Sequence, residues 1–197
     1  MKFLFDLGGV FFDWDPNHFF KDIFDKVEER EYFLTEVCND EWNIQQDAGR
    51  TIKEAEAVLI PKFPQYEKQI KMYYQNHRKM IRGTFNSSIK VLDKLKKKNY
   101  ECYVLSNWSA ETFVGMTDDY PFLQSFNGLL ISGEDNLMKP DAAIYELAIS
   151  RFNLIPQETV FIDDKLENIE AAKKLNLKTI HLVDPNIIEL EIDKFLV

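Results

Sequence analysis

Phe3-Leu4-Phe5-Asp6-Leu7-Gly8-Gly9-Val10 opens the chain with a short apolar run that stops at one carboxylate, with two glycines close behind it. A continuous apolar run of this length suits a strand buried on both faces of a parallel sheet. Asp6 then stands where the chain leaves the sheet. Gly8 and Gly9 let the backbone bend sharply and come close to a ligand. Three later runs end in the same way: Tyr103-Val104-Leu105 stops at Ser106-Asn107, Leu129-Leu130-Ile131 at Ser132, and Val160-Phe161-Ile162 at Asp163-Asp164. Helical patterns lie before, between and after the last three. Residues 88–98 put Val91, Leu92 and Leu95 on one face, and Lys96, Lys97 and Lys98 complement the dipole at that helix's end. Residues 141–152 repeat Ile144, Leu147, Ala148 and Phe152, and residues 166–175 repeat Leu166, Ile169, Ala172 and Leu175. Residues 178–183 read as a further strand. This alternation predicts an α/β fold with an open, doubly wound parallel sheet, whose ligand sits at the carboxyl ends of the strands. The polar endings therefore converge on one site.

The segment from Asp15 to Gly83 breaks the alternation. It is far longer than a βαβ crossover of roughly 30 residues and reads as helices only. Tyr66, Ile70, Tyr73, His77 and Met80 share one helical face, and Asp47-Ala48-Gly49-Arg50-Thr51 reads as a helix end, a turn and an N-cap. The economical reading is a helical insertion, residues 16–83, in a core made of residues 1–15 and 84–197. The seams Asp15-Pro16 and Arg82-Gly83 suit hinges.

Of the 197 residues, 45% are hydrophobic and 29% charged, enough for a core, and the net charge is −9. That charge argues against nucleic acid and against an anionic membrane surface as partners. An anionic substrate needs local cations, from side chains or a metal. Cys38 and Cys102 make no disulfide framework, which fits a reducing, cytoplasmic setting. Met1-Lys2 enters the first strand directly, too briefly for a signal peptide or membrane span. The chain is expected to act as a monomer or weak homodimer.

Asp6, Ser106, Lys139 and Asp163-Asp164 each have a job in phosphoryl transfer. Asp6 suits a nucleophile that forms an acyl-phosphate. Ser106 and the amides after it suit phosphate oxygens. Lys139 can neutralise transition-state charge and keep Asp6 ionised. Asp164, with Asp163 beside it, can bind Mg²⁺. These motifs, FDLGGV with Asp6, VLSN with Ser106, Met138-Lys139-Pro140, and FIDDKLENIEAA with Asp163 and Asp164, resemble in order those of the haloacid dehalogenase superfamily. The match is to its subfamily with a helical cap between the first and second motifs. The resemblance spans the chain and implies a Rossmann-like core, with residues 16–83 as an all-α cap that closes over the substrate. It further implies a Mg²⁺-dependent phosphomonoesterase acting on a small phosphorylated metabolite, and the opening motif looks like a sugar-phosphate branch. Catalysis then falls to Asp6, Ser106 and Lys139; substrate binding to Ser106, Asn107 and Lys139; and the metal to Asp6, the Gly8 carbonyl, Asp163 and Asp164. Trp42 and Gln46, one turn apart in the cap, are candidates to reach the substrate.

Gly8 departs from the pattern. Phosphatases of the superfamily carry there the acid that protonates the leaving group, and dehalogenases lack it. Since dehalogenases also lack the paired acids, Asp163-Asp164 favour phosphate. The missing proton then comes from water, from the cap or from Asp13 or Asp15, or is unnecessary because the leaving group is good. The rivals are a hydrolytic dehalogenase acting through Asp6 and a non-catalytic protein that binds a phosphorylated metabolite.

Overall fold

The computed structural model describes residues 1–196. Five strands, β1 (Lys2–Phe5), β4 (Glu101–Ser106), β5 (Gly128–Ile131), β6 (Thr159–Asp163) and β7 (Lys178–His181), form one sheet in the order β5-β4-β1-β6-β7. Every pairing in it is parallel. Phe5 lies between Val104 and Ile162 in register, so Asp6, Ser106 and Asp163 leave the same end of three adjacent strands. From β1 the chain winds outward through β4 to β5, then returns to the other side of β1 for β6 and β7. The winding reverses beside β1, which opens a crevice above Asp6.

Both faces of the sheet are covered. Alternate residues of β1 point opposite ways: Phe3 and Phe5 join Val91, Leu92, Leu95, Ile188 and Ile192 on one face. Those aliphatic residues come from α6 (Asn86–Lys97) and α12 (Ile188–Asp193). Leu4 joins Ile144, Tyr145, Ala148, Ile169 and Ala172 on the other face, from α10 (Ala142–Arg151) and α11 (Leu166–Lys174). Full burial of each such side chain is worth about 1.5–3 kcal/mol, which is why near-continuous apolar runs are stable as central strands. Short helices α7 (Ala110–Phe113), α8 (Met116–Asp119) and α9 (Ser132–Asp135) complete this body. The five expected strands and the three expected helices all form, with ends within two or three residues of the reading.

Between β1 and α6 lie α1 (Asn17–Phe20), α2 (Val27–Tyr32), α3 (Asp40–Asp47), α4 (Ile52–Leu59) and α5 (Glu67–Gln75). They enclose a separate apolar cluster that includes Phe20, Phe33, Trp42, Ile70, Tyr73 and Met80. After α3 the chain turns through Gly49 at φ +99°, and Thr51 and Glu54 form a reciprocal capping box that starts α4. The expectation of helices alone from Asp15 to Gly83 needs one correction. Ile81–Thr84 is a strand, β3, that pairs antiparallel with β2 (Phe12–Trp14). Phe12 faces Thr84 and Asp13 faces Gly83, so the chain's exit from the core and its return are hydrogen-bonded to each other. Among the described residues, no helix is long and apolar enough to cross a membrane.

Candidate active site

Asp6 follows β1 directly. Its amide donates to the Ile162 carbonyl at 2.9 Å, which extends the ladder and fixes where its side chain leaves the sheet. Oδ1 of Asp6 takes three donors: the Leu7 amide at 2.7 Å, the Ser106 hydroxyl at 2.7 Å and the Lys139 ammonium at 3.1 Å. Oδ2 makes no hydrogen bond among the described residues, and the residue lines a cavity. One oxygen is held and the other is free.

Lys139 is wholly buried, with Nζ bridging Asp6 and Asp163 Oδ2, the latter at 2.6 Å. Burial works to lower its pKa, but Asp163 and Asp6 outweigh that and raise it, so it stays an ammonium. Asn107 grips its backbone from both sides. The Asn107 amide group donates to the Lys139 carbonyl and its Oδ1 accepts from the Lys139 amide, both at 2.9 Å. The Asn107 side chain therefore positions Lys139, which leaves its backbone amide for a ligand.

Asp163 ends β6 and is fully buried. Its oxygens accept from the Lys165 amide at 2.8 Å, from Lys139, and from Asn168 Nδ2 at 3.0 Å to each. Asp164 is half-buried and lies against Gly9. Gly9 has φ +66°, and a Cβ there would overlap the Asp164 carboxylate. An oxygen from each of Asp6, Asp163 and Asp164 comes within 4.8 Å of the others. Because both Asp163 oxygens are already engaged, the donors with room are Asp6, Asp164 and the Gly8 carbonyl, which accepts no backbone hydrogen bond among the described residues. Burial pushes Asp6 up to about 7 against the pull of Lys139, and burial followed by Asp163 raises Asp164. A hard, oxygen-only donor set with more negative than positive charge fits Mg²⁺. Gly9→Ala is expected to displace Asp164 and weaken Mg²⁺ binding at least about tenfold, the scale on which supporting residues act at metal sites. Calorimetric titration with Mg²⁺ measures this, and an unchanged affinity would take Asp164 out of the ligand set.

A family model described as haloacid dehalogenase-like hydrolase matches residues 3–182 of the chain. The chain belongs to this family. The sesquiterpene phosphatase astK of Aspergillus oryzae is 24% identical over 181 residues, covering 92% of this chain and 89% of that protein. A HAD family enzyme from Bacteroides thetaiotaomicron, solved with magnesium and inorganic phosphate, is 25% identical with a TM-score of 0.69, covering 91% of this chain and 92% of that one. A dehalogenase structure matches at 18% identity and a TM-score of 0.60, covering 90% and 82%, a likeness of fold alone.

In this haloacid dehalogenase-like hydrolase the cavity over Asp6 measures about 280 Å³. Its floor is Asp6, Gly8, Gly9, Asn107, Asp164 and Asn168, and its walls include Phe12, Trp14, Tyr74, His77, Phe85 and Trp108. From α3 it receives Asp40, Asn43, Ile44 and Asp47, spaced i, i+3, i+4 and i+7 along one helical face. Trp42 and Gln46 belong to a different face and do not line the cavity. Trp42 is buried with its indole N–H donating to the Ala55 carbonyl at 3.2 Å. Gln46 is enclosed by the Trp42 carbonyl, Tyr74 and Arg50. The expectation that Trp42 and Gln46 reach the substrate is corrected: their side of α3 packs inward, and Asp40, Asn43, Ile44 and Asp47 face the cavity instead. The polar stripe Asp40, Asn43, Asp47 was the signal that marks the cavity side.

The two acids considered as proton sources are also occupied. Asp13 is held by His18 at 3.1 Å and by Arg82 at 2.5 Å, and although burial opposes it, these contacts lower its pKa. Asp15 accepts from the Asn17 amide at 2.7 Å and does not line the cavity. His77 is buried between the rings of Trp14 and Trp108, and burial lowers it to about 4. Gly8 is not in the left-handed region, and a Cβ on it would meet no atom within 4 Å. The backbone therefore does not require glycine at position 8.

Proposed function

We propose that the chain is a Mg²⁺-dependent phosphomonoesterase that works through an aspartyl-phosphate on Asp6. The carrying observation is the division of labour at Asp6: Oδ1 is fixed by three donors while Oδ2 is free at the floor of a cavity, beside Asp164. A carboxylate held in this way presents a lone pair without reorganising first. Asp6 would attack phosphorus, the alcohol would leave, and water would then cleave the acyl-phosphate. Lys139 would offset the growing negative charge from behind Asp6, the Ser106 hydroxyl would keep Asp6 oriented, and the Asn107 backbone amide would meet a phosphoryl oxygen. Asp6, Asp164 and the Gly8 carbonyl would hold Mg²⁺, with Asp163 keeping Lys139 in place. Mg²⁺ supplies charge neutralisation for the phosphoryl group. The helical insertion would act as the cap that shields the reaction from water. The phosphatase name of the Aspergillus oryzae relative and the magnesium and phosphate of the Bacteroides thetaiotaomicron structure support this reading.

The cavity also bears on substrate. Aromatic walls offer faces to a ring or hydrocarbon, while Asp40 repels a second anion. The favoured substrates are small monoesters with an uncharged leaving group, sugar phosphates among them, over bisphosphates and phosphorylated acids. A panel of phosphate esters assayed with and without chelator tests the reading. Chelation is expected to stop phosphate release and Mg²⁺ to restore it. Undiminished release after chelation removes the metal assignment, metal-independent halide release from a 2-haloacid supports a dehalogenase, and tight ester binding without release marks a binding protein.

A further inference from the structure

Departure of an alkoxide needs a proton, and the loop after Asp6 offers only the glycines at positions 8 and 9. We propose that Asp47, carried into the cavity by the end of α3, is the acid that protonates the leaving oxygen and then the base that activates water. The proposal rests on the phosphomonoesterase reading above.

Three observations support it. First, Asp47 lines the same cavity as Asp6. Asp6, Lys139 and Lys165 are near enough to act on its charge. Second, its place is fixed by contact with the core. Gly49, two residues on, lies so close to Asn136 that a Cβ there would overlap that side chain, and the Ile52 amide donates to Glu111 at 2.7 Å. Third, the other carboxyl groups of the cavity and its histidine are committed or remote, with Asp164 placed at the metal. Asp13 is ion-paired, His77 is kept neutral by burial between two indole rings, and Asp40 is about 10 Å away along α3. Burial, reinforced by Asp6 and opposed by Lys165 and Lys139, pushes Asp47 up to about 7. Such a carboxyl gives up and regains a proton near neutrality, which suits a group that must do both.

The steps balance. Asp6 bonds to phosphorus, the P–O bond to the leaving group breaks, and that oxygen takes its electron pair and the proton of Asp47. Water then attacks phosphorus and returns a proton to Asp47, and the bond from phosphorus to Asp6 breaks. The net change is monoester plus water to alcohol plus phosphate.

The test is a series of phosphate monoesters, from 4-nitrophenyl through phenyl to simple alkyl, assayed with Mg²⁺ on the full chain. Wild type is expected to show a shallow dependence on leaving-group basicity, against the steep one that a site without an acid would give. Asp47→Asn is expected to lose about 10²–10⁴-fold on alkyl esters and far less on 4-nitrophenyl phosphate. Adding Gly8→Asp to Asp47→Asn should return part of the alkyl activity, because position 8 has room for the side chain. A steep dependence in wild type overturns the proposal without any variant. An equal loss on every ester in Asp47→Asn, or no loss on any, overturns it too while leaving the phosphatase reading intact. Failure of wild type to release phosphate from any ester overturns both.

Discussion

Asp6→Asn is expected to end phosphate release while the chain stays folded. The geometry says why both halves hold. The amide oxygen can take the place of Oδ1 and keep the Leu7 and Ser106 donors, which puts the NH₂ where Oδ2 faces the cavity. The fold loses no buried hydrogen bond. It also sheds a carboxylate that burial already holds at about 7, so the melting temperature should equal or exceed that of wild type. The nucleophile is gone, since an amide has no free lone pair of comparable reactivity. Removal of a covalent nucleophile elsewhere costs on the order of 10⁶-fold, so turnover should fall to background. Phosphate release and thermal unfolding on the same preparation check this. Activity near wild type would rule Asp6 out, and an unfolded variant would mean that the Lys139 ion pair matters more to the fold than its geometry suggests.

Lys139→Met should damage both fold and activity. The ammonium is the single cation between two buried carboxylates, at 3.1 Å from Asp6 and 2.6 Å from Asp163. Removing one partner of a buried ion pair costs about 3–5 kcal/mol, because the other charge is left uncompensated. For a chain of this length that is a fall of roughly 6–20 °C in melting temperature. The deficit should depend on pH in a fixed direction. Burial already holds Asp6 at about 7 against the pull of Lys139, so without Lys139 its folded-state pKa rises further above the unfolded one, and the folded variant loses stability relative to wild type as pH climbs. The gap to wild type should therefore narrow towards acid pH and widen towards alkaline pH. Asp163→Asn in the same chain should recover part of the loss. Melting curves from acid to neutral pH are the measurement; a variant as stable as wild type throughout would show that the buried triad carries no net stabilisation.

The sheet and most of the site floor were legible because the same physics writes both. A strand buried on both faces must be a run such as Phe3-Leu4-Phe5 or Val160-Phe161-Ile162, and the first polar residue after it marks the carboxyl end where parallel strands present their ligands. Asp6, Ser106 and Asp163 could be aligned on that basis from residues far apart in the chain. What escaped depends on contacts that no local pattern encodes. Ile81-Arg82-Gly83-Thr84 is short, charged and interrupted by glycine, and becomes a strand only because Phe12–Trp14 lies beside it. In α3 the large Trp42 and its neighbour Gln46 drew the functional reading, but Tyr73 and Tyr74 of α5 claim that side for packing. The cavity takes the less conspicuous stripe that ends in Asp47. The engagement of Asp163 with Lys139 and Asn168 also needed three dimensions, since in sequence it is only the first of two adjacent acids.

The ribbon of β2 and β3 bears on how residues 15–80 are joined to the sheet. The two chains that cross between the bodies lie one strand spacing apart, about 4.8 Å, so seen from the sheet everything from residue 15 to residue 80 is the loop of one hairpin. The entropy of closing a loop grows only slowly with its length. Lengthening a tip of about four residues to about sixty-four is about four doublings and costs roughly 2.4 kcal/mol of closure entropy. The junction is a place where chain length can vary at modest cost. The paired strands fix the direction in which anything grown there projects, which is over the carboxyl end of β1 and the carboxylate of Asp6.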